Sequence, residues 1–169
     1  MFAEAIEDIL RDQCTPAVVR SIEAGGTTAE LWGTLAESGF LDLLAPEEAG
    51  GAGLPLSELF EVLCHFGRYA VPLPVAQSIA ARAIAAPGVA LPQGLLTLAP
   101  TLQRHADGSI ACPLVPFGTI AQHVLAADGE HLLLISCEGA QRRATRVHHS
   151  QVGTLTWAAD LRAQRVAGD

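Results

Sequence analysis

Ala45-Pro46-Glu47-Glu48-Ala49-Gly50-Gly51-Ala52-Gly53-Leu54-Pro55, APEEAGGAGLP, sets three glycines within four positions between two apolar segments. Such a cluster serves one of two ends. It brings backbone amides up to a phosphate, or it lets the chain turn at angles that other residues resist. A dinucleotide fingerprint needs G-x-G-x-x-G between a strand and a helix, and here Gly51-x-Gly53 runs on to Leu56 without the third glycine. A P-loop needs a lysine, and the chain contains none. Glu47 and Glu48 would also repel a phosphate. The stretch therefore reads as a corner, and what lies on either side of it decides the fold.

Upstream, the pattern is helical. Phe2, Ile6, Ile9 and Leu10 recur at helical spacing. Thr15-Pro16 reads as an N-cap followed by proline at the first helical position, with Val18, Val19 and Ile22 as the apolar stripe and Gly25-Gly26 as its stop. Thr27 and Glu30 fit a capping box ahead of Leu31, Trp32, Leu35 and Ala36, and Gly39 suits a left-handed C-terminal position. Downstream of the corner, Leu56, Leu59, Phe60 and Leu63 match the i, i+3, i+4, i+7 template and predict a buried face on a helix ending near Gly67. Pro72 and Pro74 predict an extended link. Val75 to Ala86 predicts an alanine-rich helix closed by Pro87.

From about residue 88 the texture changes. Leu95–Ala99, Ser109–Val115, Gln122–Ala126, His131–Cys137, Arg143–His148 and Thr154–Trp157 are short runs set apart by Asp107-Gly108, Asp128-Gly129 and Glu138-Gly139. Such spacing predicts a β unit of six strands. The expected fold class is α+β, with an all-α domain over residues 1–90 followed by a small antiparallel β domain over residues 91–169.

The totals exclude several functions. Net charge is −8 and all ten basic residues are arginines. The one basic cluster is Arg142-Arg143 with Arg146, too little for a nucleic-acid backbone or an anionic membrane surface. No apolar run reaches the ~18–20 residues of a membrane span, and MFAEAIEDIL is acidic where an export signal would be basic. A cytoplasmic location is expected. Cys14, Cys64, Cys112 and Cys137 form no C-x-x-C pair and read as reduced thiols. Half of the residues are apolar and only 17% are charged, which points to faces buried against other protein.

No catalytic constellation emerges from the residues themselves. Glu47 and Glu48 are adjacent, so they point in different directions and read as solvated. His148 and His149 as strand neighbours would face opposite sides, and Cys64 and His65 do not share a helix face. No serine or threonine sits in a nucleophile setting. The sequence thus yields no catalytic residue, no metal ligand set and no assignable cofactor-binding residue.

The order of segments resembles the acyl-CoA dehydrogenase family. From Leu31 to Val75 the matching features are Leu31-Trp32 through Leu35-Ala36, Glu37-x-Gly39, and Leu43 to Pro46 with Glu47-Glu48. Gly50-Gly51-x-Gly53, the helix with Glu58 and Glu61, Phe66-Gly67-Arg68 and Pro72-x-Pro74 then follow in order. Val115-Pro116-Phe117-Gly118, Ala121-x-His123-x-Leu125 and Leu132 to Ile135 are more loosely similar to the family's middle β domain.

The resemblance implies a helical N-terminal domain, a middle β domain and a C-terminal four-helix bundle. It also implies FAD between the last two domains and an acyl-CoA thioester against the flavin. A carboxylate then removes the α-proton while the β-hydrogen leaves as hydride to the flavin, the thioester carbonyl being hydrogen-bonded so that the α-proton is acidic enough. The sequence ends at Asp169, ahead of the bundle that would carry the usual glutamate. The family's T-x-P-x-x-G-S-D-like flavin segment is not recognisable in TLQRHADGSIACPLV, where Asp107-Gly108-Ser109 reads as a turn. The expectation is the front half of such a flavoprotein, in a homo-oligomer or with a partner chain supplying the bundle. The alternatives are a non-catalytic subunit or assembly module, and a stand-alone acyl-group binder.

Overall fold

The structure is a computed structural model that describes every residue except Met1, Ala86, Pro87, Arg146, Asp160, Arg162, Gly168 and Asp169. The chain divides into two compact units, Met1–Ala83 and Ile84–Asp169.

The first unit is built on α1 (Phe2–Gln13), α2 (Pro16–Glu23), α3 (Ala29–Glu37), α4 (Leu56–Arg68) and α5 (Val75–Ile84, whose last residue falls in the second unit). Ile6 and Leu10 of α1 are buried, and α1 packs across α4. Thr15 caps α2 as its sequence predicts, its Oγ1 accepting from the Val18 amide at 3.4 Å. The capping box at Thr27–Glu30 does not form. Helix α3 starts at Ala29, its cap residue Thr28 already has helical angles, and Thr27 Oγ1 accepts the Ala29 amide in a local turn. Gly39 takes the left-handed position, φ 76°, and Phe40 and Leu41 fold back into the core.

Helix α4 buries a different face from the one its spacing predicts. Leu59, Val62 and Phe66 are buried, whereas Leu56 is 73% and Phe60 65% exposed. The helix is apolar on two sides, so two overlapping stripes satisfy the same template, and the side that α1 covers is the one through Leu59 and Val62. The helix runs through Gly67, and the left-handed residue after it is Ala70, φ 48°. The Val71 amide returns to the Phe66 carbonyl and the Ala70 amide to Gly67, which closes the end at the expense of a side chain in an unfavourable region.

The second unit contains eight described strands rather than six. One sheet has the order β1 (Leu96–Ala99), β4 (His123–Asp128), β5 (His131–Ser136), β8 (Ala163–Ala167). The other has the order β2 (Gln103–Arg104), β3 (Ile110–Val115), β7 (Gly153–Trp157), β6 (Gln141–Ala144). Pairing is antiparallel except between β1 and β4, which run parallel because the chain crosses to the other sheet between them. Val124, Ala126 and Ile135 from one sheet meet Cys112, Leu155 and Trp157 from the other in a single apolar core. Each large side chain so buried contributes about 1.5–3 kcal/mol. Strand β6 falls at 141–144 instead of 143–148, and residues 147–150 form a turn and bend. No described helix is long and apolar enough to cross a membrane.

Two backbone substitutions should have opposite signs. A Cβ on Gly51 would lie 2.1 Å from the Ala45 carbonyl oxygen, so Gly51→Ala should destabilise the protein by about 2–3 kcal/mol. Ala70→Gly relieves the left-handed strain and should stabilise it by about 0.5–1 kcal/mol. Urea denaturation followed by circular dichroism measures both; equal effects would contradict this account of the corner.

Candidate functional site

The glycine corner is closed to a ligand by its own hydrogen bonds. After the short 3-10 turn Glu47–Ala49, Gly50 and Gly53 take φ of 84° and 58°. The amides of Ala49 and Gly51 bond to the Pro46 carbonyl, and that of Gly50 to Glu47. Those of Ala52, Gly53 and Leu54 bond to the carbonyls of Asp42, Ala45 and Leu43 at 3.1, 2.9 and 2.8 Å. Each amide from Ala49 to Leu54 is consumed, so no donor faces outward for a phosphate. Asp42 also receives Arg82 Nη1 at 3.2 Å, which ties α5 to the corner. Glu47 and Glu48 are exposed.

The remaining sequence candidates are dispersed. His148 and His149 lie in the β6–β7 loop, with ring centroids 4.0 Å apart in an edge-to-face contact. They meet each other because His149, φ 58°, turns the chain; on a strand they would point apart. No group of three histidine, cysteine or carboxylate side chains suited to a metal occurs among the described residues. Cys64 is exposed, and His65 beside it buries its Nδ1. Burial pushes the Cys112 and Cys137 thiols up to about 11, so neither supplies a thiolate near neutral pH. Burial also raises the Cys14 thiol and lowers the His123 imidazole. Asp107 accepts both the amide and the hydroxyl of Ser109, a turn that holds its carboxyl low. Arg146 lies outside the described residues.

The arginine pair predicted as a basic cluster divides its labour. Arg142 Nη1 donates to the Gly118 carbonyl at 2.9 Å, and its Nη2 to the Ala121 carbonyl at 2.7 Å. Arg143 points to the other side of the sheet. There it edges a trough of about 450 Å³ on the outer face of β2-β3-β7-β6, floored by Ala111, Thr154 and Thr156, with Gln103 and His105 on the opposite wall. No carboxylate lines this trough. A second hollow, about 400 Å³, lies in the helical unit beside Val19, Arg11, Arg20 and Arg68. Its cations are largely spent on Asp8 and Asp12 for Arg11 and on Glu7, 2.8 Å from Arg68. Nothing in the sequence distinguishes Arg142 from Arg143; only the strand register, which pairs Arg142 with the core residue Leu155, does so.

Burial is informative about chemistry. Among the described residues the buried polar side chains are Ser78 and Thr97, and no carboxylate joins them. A carboxylate base poised near neutral pH needs such desolvation.

Two measurements check this picture. Arg142→Ala strips two carbonyls of a charged donor and should cost about 2–3 kcal/mol in urea denaturation, with Arg142→Lys recovering part of the loss. Thiol titration of the native protein at about pH 8 should modify Cys64 fast and Cys112 and Cys137 only on unfolding; rapid reaction of either core thiol would contradict the burial.

Comparison with known proteins places this geometry among relatives. Residues 1–90 match the family described as acyl-CoA dehydrogenase, N-terminal domain. The acyl-CoA dehydrogenase IpdE2 of Mycobacterium tuberculosis is 33% identical over 151 residues, which cover 86% of this chain and 46% of that protein. The chain thus spans about half the length of this curated relative. Among solved structures, the ChsE4-ChsE5 complex from M. tuberculosis matches 99% of this chain and 56% of its own, at 22% identity and TM-score 0.71. An acyl-CoA dehydrogenase complexed with FAD from Bacillus anthracis matches 100% of this chain and 37% of its own, at 17% identity and TM-score 0.60. These two likenesses concern the fold.

Proposed function

Because this chain belongs to the acyl-CoA dehydrogenase family, we propose that it is the front half of a flavoprotein oxidising the Cα–Cβ bond of an acyl-CoA thioester. In this reading it works only together with polypeptide that supplies the catalytic carboxylate, in a cytoplasmic assembly. Residues 1–90 act as the family's helical N-terminal domain and residues 91–169 as its middle β domain. The observation that carries the division of labour is the absence of a buried carboxylate among the described residues. Abstraction of a weakly acidic α-proton calls for a base whose pKa is raised by desolvation, and the carboxylates described here are solvated or partly so.

The chain's residues do not by themselves fit FAD. A dinucleotide needs amides or cations aimed at its pyrophosphate. The glycine corner spends its amides internally, and Arg142 spends its guanidinium on carbonyls. The flavin of such an assembly is therefore held chiefly by the complementary polypeptide, and no step is assigned to a residue of this chain. The name ChsE4-ChsE5 complex, given to a structural relative, supports a two-chain arrangement. A non-catalytic subunit is the second reading, favoured by the same lack of a desolvated base.

An absorption spectrum of the purified chain, alone and after dialysis with FAD, tests the proposal. The expected result is a colourless protein that retains no added flavin and does not turn over acyl-CoA with an artificial electron acceptor. Co-expression with a dehydrogenase-type chain encoded nearby should give a yellow, active complex. Stoichiometric flavin on this chain alone, reduced by acyl-CoA, would overturn the division of labour. Tight acyl-CoA binding without flavin would favour a stand-alone acyl binder instead.

A further inference from the structure

Arginine is scarce in the helical unit and is not spread evenly over it. Residues Met1–Ala83 carry twelve carboxylates and four arginines. Three of the four, Arg11 of α1, Arg20 of α2 and Arg68 of α4, line the hollow of about 400 Å³ in this unit, and no carboxylate lines it with them. The fourth, Arg82, is bonded to Asp42. Guanidinium groups from three helices therefore meet at one place on a unit whose carboxylates far outnumber its cations.

The three are held differently. Arg11 pairs with Asp8 on its own helix and lies 4.0 Å from Asp12, and Arg68 Nη1 lies 2.8 Å from Glu7. Both guanidinium side chains are well exposed, and exposed pairs contribute little to stability, so an anion competes for them at small cost. One carboxylate also leaves most of the five N–H donors of a guanidinium unused. Arg20 is exposed and has no hydrogen bond or ion pair among the described residues.

Between the cations the lining is mostly apolar, from Pro16, Val19, Tyr69 and Ala70. Val19 and Tyr69 are partly buried, and the Arg68 guanidinium carbon lies 5.9 Å from the centre of the Tyr69 ring. The walls are anchored. The buried Cys14 thiol donates to the Tyr69 carbonyl at 3.6 Å, which ties the end of α1 to the end of α4. Ala70 keeps its left-handed φ of 48° at this wall, and backbone strain of that kind gathers at ligand clamps.

This combination selects one class of ligand. A hydrated inorganic anion gains nothing from apolar walls, and a neutral apolar body leaves the guanidinium groups unused. An anionic head on a compact, flat apolar body uses both, since a tyrosine ring and a guanidinium plane each stack on an aromatic face. The hollow lies near the lower end of the ~300–1,000 Å³ range of small-molecule sites, which suits one or two rings.

We propose that this hollow binds a small aromatic carboxylate. Arg20 takes the carboxylate through its planar fork, Arg11 and Arg68 flank it, and Val19 and Tyr69 seat the ring. The site lies wholly within the helical unit and goes beyond the flavoprotein reading, because neither coenzyme A nor flavin takes part in it.

Titration of the 15N-labelled full chain with 1-naphthaleneacetate, followed by amide NMR, tests the site. The amides of Val19, Arg20, Tyr69 and Ala70 should shift saturably, with a Kd of about 1 mM or tighter for a ligand of this size. The neutral isostere 1-naphthaleneacetamide should bind about tenfold or more weakly, because a charge-assisted contact is lost. Sodium acetate at the same concentration should leave these amides in place, because it lacks the ring. Arg20→Gln should weaken binding by about tenfold, and Arg20→Lys by less, since lysine keeps the charge without the fork. Arg143→Gln, on the β unit, should change nothing. Arg20 is exposed and uncommitted, and an unchanged amide spectrum outside the site separates lost contact from lost fold. No saturable shift up to about 10 mM would overturn the proposal, as would shifts confined to other residues or indifference to Arg20→Gln. Equal binding of the amide would reduce the hollow to an apolar patch, and equal binding of acetate would reduce it to a charge patch; either result removes the proposed specificity. The readout needs no flavin and no turnover, so failure here leaves the division of catalytic labour to its own test.

Discussion

Gly51 approaches the Ala45 carbonyl so closely that no side chain could stand between them, and the helical unit is organised around that closure. The loop from Phe40 to Leu54 doubles back on itself, with the amides of Ala52, Gly53 and Leu54 reaching the carbonyls of Asp42, Ala45 and Leu43. Leu41, Leu43, Ala45 and Leu54 on this strip are buried, and the bonds to the Ala45 and Leu43 carbonyls hold their backbone in place. The loop thus behaves as a small core layer between the end of α3 and the start of α4. Asp42 then extends its influence to α5 through the largely buried guanidinium of Arg82. Glycine here serves proximity at position 51 and backbone angle at position 50, and the two requirements together explain why the corner reads so distinctly in sequence.

That corner and the helices around it were legible because their signals are local. A threonine before a proline, a left-handed Gly39 and a glycine run between apolar stripes each act within a few residues. The face of α4 was misread for a reason of the opposite kind. Leu56, Leu59, Phe60 and Leu63 satisfy helical spacing as well as Leu59, Val62 and Phe66 do, and the choice between them belongs to α1, distant in sequence. In the β unit, strand β2 is two polar residues and β6 four exposed ones, so neither carries the apolar alternation that marks a half-buried strand. The parallel β1–β4 pair likewise follows from where the chain crosses between sheets, which no residue pattern encodes.

The candidate site was less legible than the fold. Sequence alone recognised the family, yet it treated Arg142 and Arg143 as one basic cluster. Register separates them. Arg142 stands opposite Leu155, which in turn stands opposite Cys112, so its side chain leaves β6 on the core side; Arg143, opposite Thr154, leaves on the outer side. One arginine braces backbone carbonyls from the core side of the sheet and the other stands on the outer face, through a period-two rule that requires knowing which strand is paired with which.

Arg142 also bears on how the β unit meets other molecules. β6 is an edge strand, and an exposed edge invites pairing with any extended chain. A charged side chain directed inward from an edge discourages such pairing, because sliding a new strand alongside would disturb the guanidinium and the Gly118 and Ala121 carbonyls that depend on it. Recognition through this edge is therefore disfavoured, and the sheet is left to interact through its face. That face has short side chains in the middle and, at its border, Arg143, which has no ion pair among the described residues; the bulge near Leu114 lies at one end of β3. The same register that turns Arg142 toward the Gly118 and Ala121 carbonyls sets Arg143 on the outer face.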